Sequence, residues 1–328
     1  MIEEILPGLY RIEVPLPQNP LRAINSYVIK AQGRSLIIDT GMNREECRSV
    51  LASGLKKLDV DSKKADFFIT HLHADHSGLV AKFATDASTV YSNQQEAAIL
   101  SAGSSEKGKR WQKVDAVYLL HGFPEDEIKR SEQIHPGRRY SMERHVDFYI
   151  LKEGDTIRIG DYSFRCIETP GHSPGHMCLY EANKRIIISG DHILSDITPN
   201  ITFWLEMENS LAEYLKSLDK VYDLDVELVL PGHRRTFKNF KERIRELKNH
   251  HQARANEILS ILRGANQNAY QVASQMSWDI DCESWEQFPG TQRWFATGEA
   301  LAHLEYLEEM GKVRREMQNQ RVVFSIPI

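Results

Sequence analysis

The sequence holds only four cysteines in 328 residues, Cys47, Cys166, Cys178 and Cys282, and no C-x-x-C pair. Their scatter excludes a zinc ribbon and a dithiol redox couple, so the thiols read as reduced, small apolar filler. No apolar run approaches the roughly 18 residues of a membrane helix. The start, Met1-Ile2-Glu3-Glu4, is acidic where a secretory leader carries basic residues ahead of an apolar core. A membrane is therefore not an expected partner, and the cytoplasm is the expected compartment. An excess of basic charge is lacking as well. A net charge of -5 gives no blanket attraction to phosphate backbones, so duplex DNA is not an expected partner and any nucleic-acid contact must be local.

What is present is ordinary globular usage, 41% hydrophobic and 27% charged, in a chain too long for one average domain. Short β-branched segments at 10–14, 26–30 and 35–38, with a turn at 31–34, predict a hairpin. A helix is expected over 44–58, then a short buried strand, Asp66-Phe67-Phe68-Ile69-Thr70. A second passage repeats the outline: strand 177–180, turn 181–184, strand 185–191. Both copies run an apolar strand into an aspartate beside a glycine, Asp39 near Gly41 and Asp191 after Gly190. This predicts two similar half-domains that deliver strand-end carboxylates to one edge.

Between 97 and 146 the pattern turns polar and basic, with Trp111, Tyr118, Phe123 and Tyr140 interspersed, which predicts a helical insertion. Those aromatics read first as the insertion's own core, with a substrate lid as the alternative use. After His233 strand signals stop, and a charged helix is expected over 239–262, closed by Arg263-Gly264. That places a catalytic domain at 1–239 and a second domain at 240–328. The second has helices near 269–276 and 297–310 and a final strand pair at 312–315 and 321–326, the order of a winged helix. Leu301, Leu304, Leu307 and Met310 fall at helical spacing, a core stripe that in such domains also serves as a homodimer contact.

The chemistry concentrates in His71-Leu72-His73-Ala74-Asp75-His76, four potential ligands in six residues directly after a buried strand. Neutral imidazoles and carboxylates bind borderline cations, and a loop is needed because strand alternation never puts His73 and His76 on one face. His172 lies in the Gly- and Pro-rich turn Thr169-Pro170-Gly171-His172-Ser173-Pro174-Gly175-His176, which holds side chains rigidly at a strand end. Asp191 directly follows its strand, and His233 follows Leu228-Val229-Leu230 through Pro231-Gly232. His176 and His192 read as structural.

In this order, the H-x-H-x-D-H string, the later G-H, the strand-end aspartate and the final P-G-H resemble the metallo-beta-lactamase superfamily, over about residues 5–235 apart from the insertion. The resemblance implies a four-layer αββα sandwich holding two divalent metal ions. It places His71, His73 and His172 on the first ion and Asp75, His76 and His233 on the second, with Asp191 bridging and Asp39 supporting the site from behind. Zinc is the expected pair, although the same ligand types accept iron or manganese. Two ions sharing a water bring its pKa toward ~7, so the implied activity is hydrolysis by a metal-bridged hydroxide, with Asp75 as the catalytic residue that orients the nucleophile or handles its proton.

Substrate readings then diverge. The first expectation is an ester, thioester or lactone of a small molecule. The second is single-stranded RNA, because one branch of the superfamily carries a C-terminal winged helix and is an endoribonuclease. Against it, Glu299, Glu305, Glu308 and Glu309 on the tail helix would repel phosphates, leaving Lys312, Arg314, Arg315 and Arg321 as the basic patch. A di-iron oxidoreductase is a minor alternative, since that branch has glutamate where His73 stands. A regulatory module that has lost its metals is disfavoured by the full ligand set. The best-known beta-lactamases use a cysteine among their ligands where Asp191 stands here, and glyoxalase II resembles the ligand set more closely but differs in its tail.

Overall fold

The computed structural model of the protein describes residues 1–280 and 282–327. Two sheets make its centre. The first is seven-stranded and runs in chain order: β1 (Ile2–Leu6), β2 (Leu9–Pro15), β3 (Ala23–Ala31), β4 (Arg34–Ile38), β5 (Ala65–Phe68), β6 (Val90–Asn93) and β7 (Phe148–Leu151). The second comprises β8 (Thr156–Ile159), β9 (Tyr162–Glu168), β10 (Met177–Glu181), β11 (Ile186–Gly190) and β12 (Leu228–Pro231), ordered β12-β11-β10-β9-β8.

Because successive strand residues point to opposite faces, each central strand feeds two cores. In β4 and β5, Leu36, Ile38 and Phe68 turn inward to meet Ile186, Ile188, Phe164 and Leu230 of the other sheet. Ile37 and Phe67 turn outward, where the helix Glu45–Lys57 buries Cys47, Leu51 and Leu55 against them. On the far side, Ile187 and Val229 meet Leu211, Tyr214 and Leu218 of the helix Ser210–Tyr222. The layers are thus helix, sheet, sheet, helix, as the resemblance implied. The internal repeat is also present in the pairing. β3 runs antiparallel to β4 and β4 parallel to β5, just as β10 runs antiparallel to β11 and β11 parallel to β12.

The stretch between β6 and β7 is helical: Gln94–Ser101, Ser104–Leu120, Glu125–Ile134 and Pro136–Arg139. Its Val114, Tyr118, Phe123 and Ile128 form a core with Trp294 of the tail, and Tyr118 stacks on Trp294 with ring centroids 3.8 Å apart. Tyr118 and Phe123 are therefore packing residues, the first of the two uses expected for them.

The helix Phe240–Leu262 carries Phe240, Ile244 and Leu247 into the core of the second sheet, and Ala255, Ile258 and Leu262 into the core of the tail. Beyond it come the helices Ala269–Ala273 and Gly290–Glu309 and the hairpin of β13 (Arg314–Gln318) and β14 (Arg321–Ser325). The tail helix starts earlier than position 297. Its first turns face the insertion through Trp294 while later ones face the tail core, so one-sided apolar periodicity is lost. Leu301, Leu304 and Leu307 are core, and Met310 is exposed.

Of the four acidic residues expected to face solvent on this helix, Glu299 is the one that is buried. Glu299 is buried 3.4 Å from Arg254, Glu308 pairs with Arg315, and Glu309 accepts from Asn209. Among the described residues no helix is long and apolar enough to cross a membrane.

Burial pushes His135, His192 and His303 down to about 3 and His121 down to about 4. The folded chain therefore refuses protons that the unfolded chain accepts below ~6.5, and stability falls as pH drops through that range. Burial also raises Glu96 and Glu305 to about 7, and neighbouring carboxylates raise His76 and His233, which works the other way. But burial lowers His71, His73, His172, His176 and His251 as well, so the lowered histidines outnumber the raised groups. The expected outcome is a lower urea midpoint for chelator-treated protein at pH 5 than at pH 7; an equal or higher midpoint at pH 5 refutes it.

Candidate metal centre

Five strands end at one edge of the sandwich, and each hands the chain to a site residue. Asp39 follows β4, His71 follows β5, His172 follows β9, Asp191 follows β11 and His233 follows β12. Backbone hydrogen bonds tie the two sheets together here, from Met177 to Thr70 at 3.0 Å and from Asn25 to Gly232 at 2.7 Å. Asp75 and His76 sit in the single helical turn Ala74–Ser77 rather than in an irregular loop, which separates them from His71 and His73 and aims them at the second half of the site.

All seven candidate ligands converge. His71, His73 and His172 form one group whose donor atoms lie within 4.8 Å of one another, and Asp75, His76 and His233 form another. Asp191 lies between them, with carboxylate oxygens 3.7 Å from His172 Nε2, 3.5 Å from His76 Nε2 and 3.3 Å from His233 Nε2. His71 Nε2 and His172 Nε2 stand 2.9 and 3.0 Å from His73 Nδ1. That crowding of ring nitrogens makes sense around a shared positive charge.

The outward nitrogens explain why the rings point in. His76 Nδ1 donates to Asp39 Oδ2 at 2.7 Å, His172 Nδ1 to the Asn200 carbonyl at 2.9 Å, and His233 Nδ1 to the Ala23 carbonyl at 2.7 Å. His71 Nδ1 donates to the Thr70 hydroxyl at 3.0 Å, which passes its own proton to Asp39 at 2.8 Å. Asp39 also accepts from the Thr70 backbone N–H at 2.9 Å, so one carboxylate organises two ligands. It does so from a left-handed conformation, φ 58°, a backbone cost that only a built site sustains. These bonds fix each tautomer and leave the Nε2 lone pair inward.

Electrostatics favour a cation. Burial holds His71 well below its ordinary value and His73 at about 3, so both are neutral donors. On the other side burial opposes charge on His233, yet Asp191 and Asp75 hold it up to about 10, and Asp39 and Asp191 raise His76 likewise. Asp75 is brought down to about 2 because His233 and His76 outweigh its burial. His76 Nε2, His233 Nε2 and Asp191 Oδ1 are buried with no hydrogen-bond partner among the described residues. Orphaned polar atoms of this kind are costly unless a ligand satisfies them, and divalent metal ions fit the donor set. Gly232 is required by the close approach, since a Cβ there would collide with Asp191 Oδ1.

Several supporting residues escape the sequence reading. Glu96, on the first turn of Gln94–Ser101, accepts from the Leu72 N–H at 2.5 Å, the Gly175 N–H at 2.5 Å and the Ser173 hydroxyl at 2.9 Å. It thereby clamps the His71–His76 stretch to the turn that carries His172. Trp204 packs on His73, with ring centroids 5.7 Å apart, and donates to the His172 carbonyl at 3.2 Å. His176 is structural, as expected, and its role is specific, because its Nε2 accepts the Asp191 N–H at 3.1 Å while Nδ1 bonds Thr169 Oγ1 at 2.8 Å. Both ring nitrogens of His192 are buried without a hydrogen-bond partner among the described residues.

A sandwich with buried histidines and aspartates gathered at one strand edge defines a metal-dependent hydrolase. Residues 19–233 match the family model of the metallo-beta-lactamase superfamily, and residues 286–325 match that of the metallo-beta-lactamase-like C-terminal domain. The chain belongs to the metallo-beta-lactamase superfamily. It is 27% identical to acyl-coenzyme A thioesterase MBLAC2 of Homo sapiens over 70% of this chain and 79% of that protein. It is 25% identical to the probable metallo-hydrolase YqjP of Bacillus subtilis (strain 168), over 91% of this chain and 92% of that one. In structure it resembles a metallo-beta-lactamase family protein from Thermus thermophilus, with TM-score 0.83 and 28% identity, over 99% of this chain and 100% of the other.

Replacing Glu96 by alanine frees both ligand-bearing loops without touching a ligand. Loss of such a support weakens metal binding by roughly 10- to 100-fold. Competition against a chromophoric chelator measures this, and wild-type retention in a folded Glu96→Ala protein would remove the clamp from the site.

Proposed function

We propose that the protein hydrolyses a thioester of a small molecule, with zinc as its metal pair. The single observation that carries the reading is the double group of inward-facing donors around Asp191. Relatives named as thioesterases support the choice of acyl chemistry: besides the human protein, an Aspergillus fumigatus protein named atrochrysone carboxyl ACP thioesterase is 24% identical over 80% of this chain and 67% of its own length.

The protein's part in the reaction is positioning. His71, His73 and His172 would hold one ion, Asp75, His76 and His233 the other, and Asp191 would lie between. Bound there, the pair supplies hydroxide at neutral pH and draws charge from a carbonyl oxygen. Asp75, held ionised beside His233, accepts a hydrogen bond from the attacking water or takes its proton. Trp204, over His73 and with the Arg110 guanidinium 5.8 Å above its ring, gives the acyl group an apolar wall and keeps bulk water off that side.

We read the winged-helix-like tail as a packing partner of the catalytic layers rather than an RNA reader. Its Glu299 turns inward, and Arg315 of the final hairpin is matched by Glu308, which reduces the basic patch. RNA thus ranks second.

Metal analysis and a panel of an acyl-CoA thioester, a lactone, a phosphodiester and short RNA test the proposal. Thioester turnover that stops with a chelator is expected. Metal assistance supplies several kcal/mol, so at ~1.4 kcal/mol per tenfold the His71→Ala protein loses at least ~100-fold in kcat/KM. Asp75→Ala with verified metal content should also lower kcat. RNA cleavage that survives purification and vanishes in His71→Ala would displace the thioester reading.

A further inference from the structure

The segment 200–204 lies between the metal centre and the tail helix Gly290–Glu309 and is bonded to both. Toward the centre, the Asn200 carbonyl accepts from His172 Nδ1 at 2.9 Å and the Trp204 indole donates to the His172 carbonyl at 3.2 Å. Toward the helix, Asn200 Nδ2 donates to Glu299 Oε2 at 2.9 Å and the Phe203 N–H donates to the Gly298 carbonyl at 3.3 Å. The contact is tight. A Cβ on Gly298 would collide with Thr202 Oγ1 and with the Tyr118 hydroxyl.

Glu299 is itself fixed. It is buried 3.4 Å from Arg254, and Arg254 in turn bonds Glu257 at 2.9 Å and lies over Trp278 at 4.1 Å. No helix or strand occupies 191–209, so the Asn200 carbonyl is aimed by contacts rather than by a backbone ladder. Ile201 is buried in the core beside the second sheet, the Thr202 carbonyl accepts from Ser210 Oγ at 2.7 Å, and Asn200 itself is tied to Glu299. The bond to Glu299 is the tether on the Asn200 side chain. A ring whose Nδ1–H is held by a fixed acceptor presents Nε2 in one direction, and that direction decides how well it binds a cation.

We propose that Glu299 is a positioning residue for the metal centre: through Asn200 it orients His172, so the tail helix completes the site. The inference rests on the reading of His71, His73 and His172 as metal ligands. A tail serving only as ballast would tolerate loss of this carboxylate without any change at the metal.

The test compares wild type, Glu299→Ala, Asn200→Ala, the double variant and Glu299→Gln. Metal stoichiometry, retention against a chelator and the visible spectrum of cobalt(II)-loaded protein are measured, with folding followed by circular dichroism. Wild type should hold two ions. Each alanine variant should lose roughly tenfold or more in affinity for one of them and change the cobalt spectrum. The double variant should lose no more than either single one, because both cut one chain of contacts. Glu299→Gln still accepts the Asn200 amide and should keep wild-type affinity and spectrum.

Folded alanine variants with unchanged affinity and spectrum overturn the proposal, as does Glu299→Gln falling as far as Glu299→Ala. Should Glu299→Ala not fold, Asn200→Ala decides, since it leaves the Glu299–Arg254 pair in place. A wild-type protein without metal overturns the ligand reading and the proposal with it, whereas metal-replete wild type beside indifferent variants sinks only the proposal.

Discussion

Everything at the functional edge depends on a solvation problem. Six of the seven polar side chains are taken almost fully out of water, with His73 half-buried, and several of their donor atoms find no partner among the described residues. Burying such groups costs energy that hydrogen bonding normally returns. Here the outward atoms are satisfied by Asp39, Thr70, Asn200 and Ala23, and the inward atoms are left for a cation. The strand ends, the inter-sheet backbone bonds and the unusual backbone at Asp39 all serve to hold that arrangement.

Much of this was legible in the chain, for physical reasons that differ from residue to residue. The seven candidate ligands stood out because polar side chains able to bind metal rarely follow directly on buried strands, and the family resemblance grouped them. The layers were legible through the family resemblance and through the apolar run of β5, the one strand predicted from its sequence to be covered on both sides. Glu96 carried no such mark. It sits among ordinary helix-forming residues, and only the fold brings it to Leu72 and Gly175. Asn200 was hidden for another reason, since its backbone carbonyl does the work and a carbonyl has no sequence identity. Among the acidic residues of the tail helix Glu299 misled, because charge read along a helix assumes solvent, whereas this carboxylate faces Arg254.

The insertion and the tail are usefully seen together. Tyr118 and Phe123 from one and Trp294 from the other make a single apolar cluster, braced by the ion pair of Arg293 with Glu127 at 3.0 Å. Apart from Glu96 at its start, the stretch between β6 and β7 reaches the site at the margin, through Arg110 above Trp204. Its Val114, Tyr118, Phe123 and Ile128 are committed to packing.

The first half of the helix Phe240–Leu262 is core to the second sheet and its second half is core to the tail, so neither body owns it. Cutting the chain anywhere along that rod would expose a greasy stripe on whichever fragment kept the stump. Recombining this tail with the catalytic half of a relative would likewise demand matched residues at Ile244, Leu247, Ala255 and Ile258. The two modules are therefore constrained to diverge in step, each keeping the other's shape within bounds.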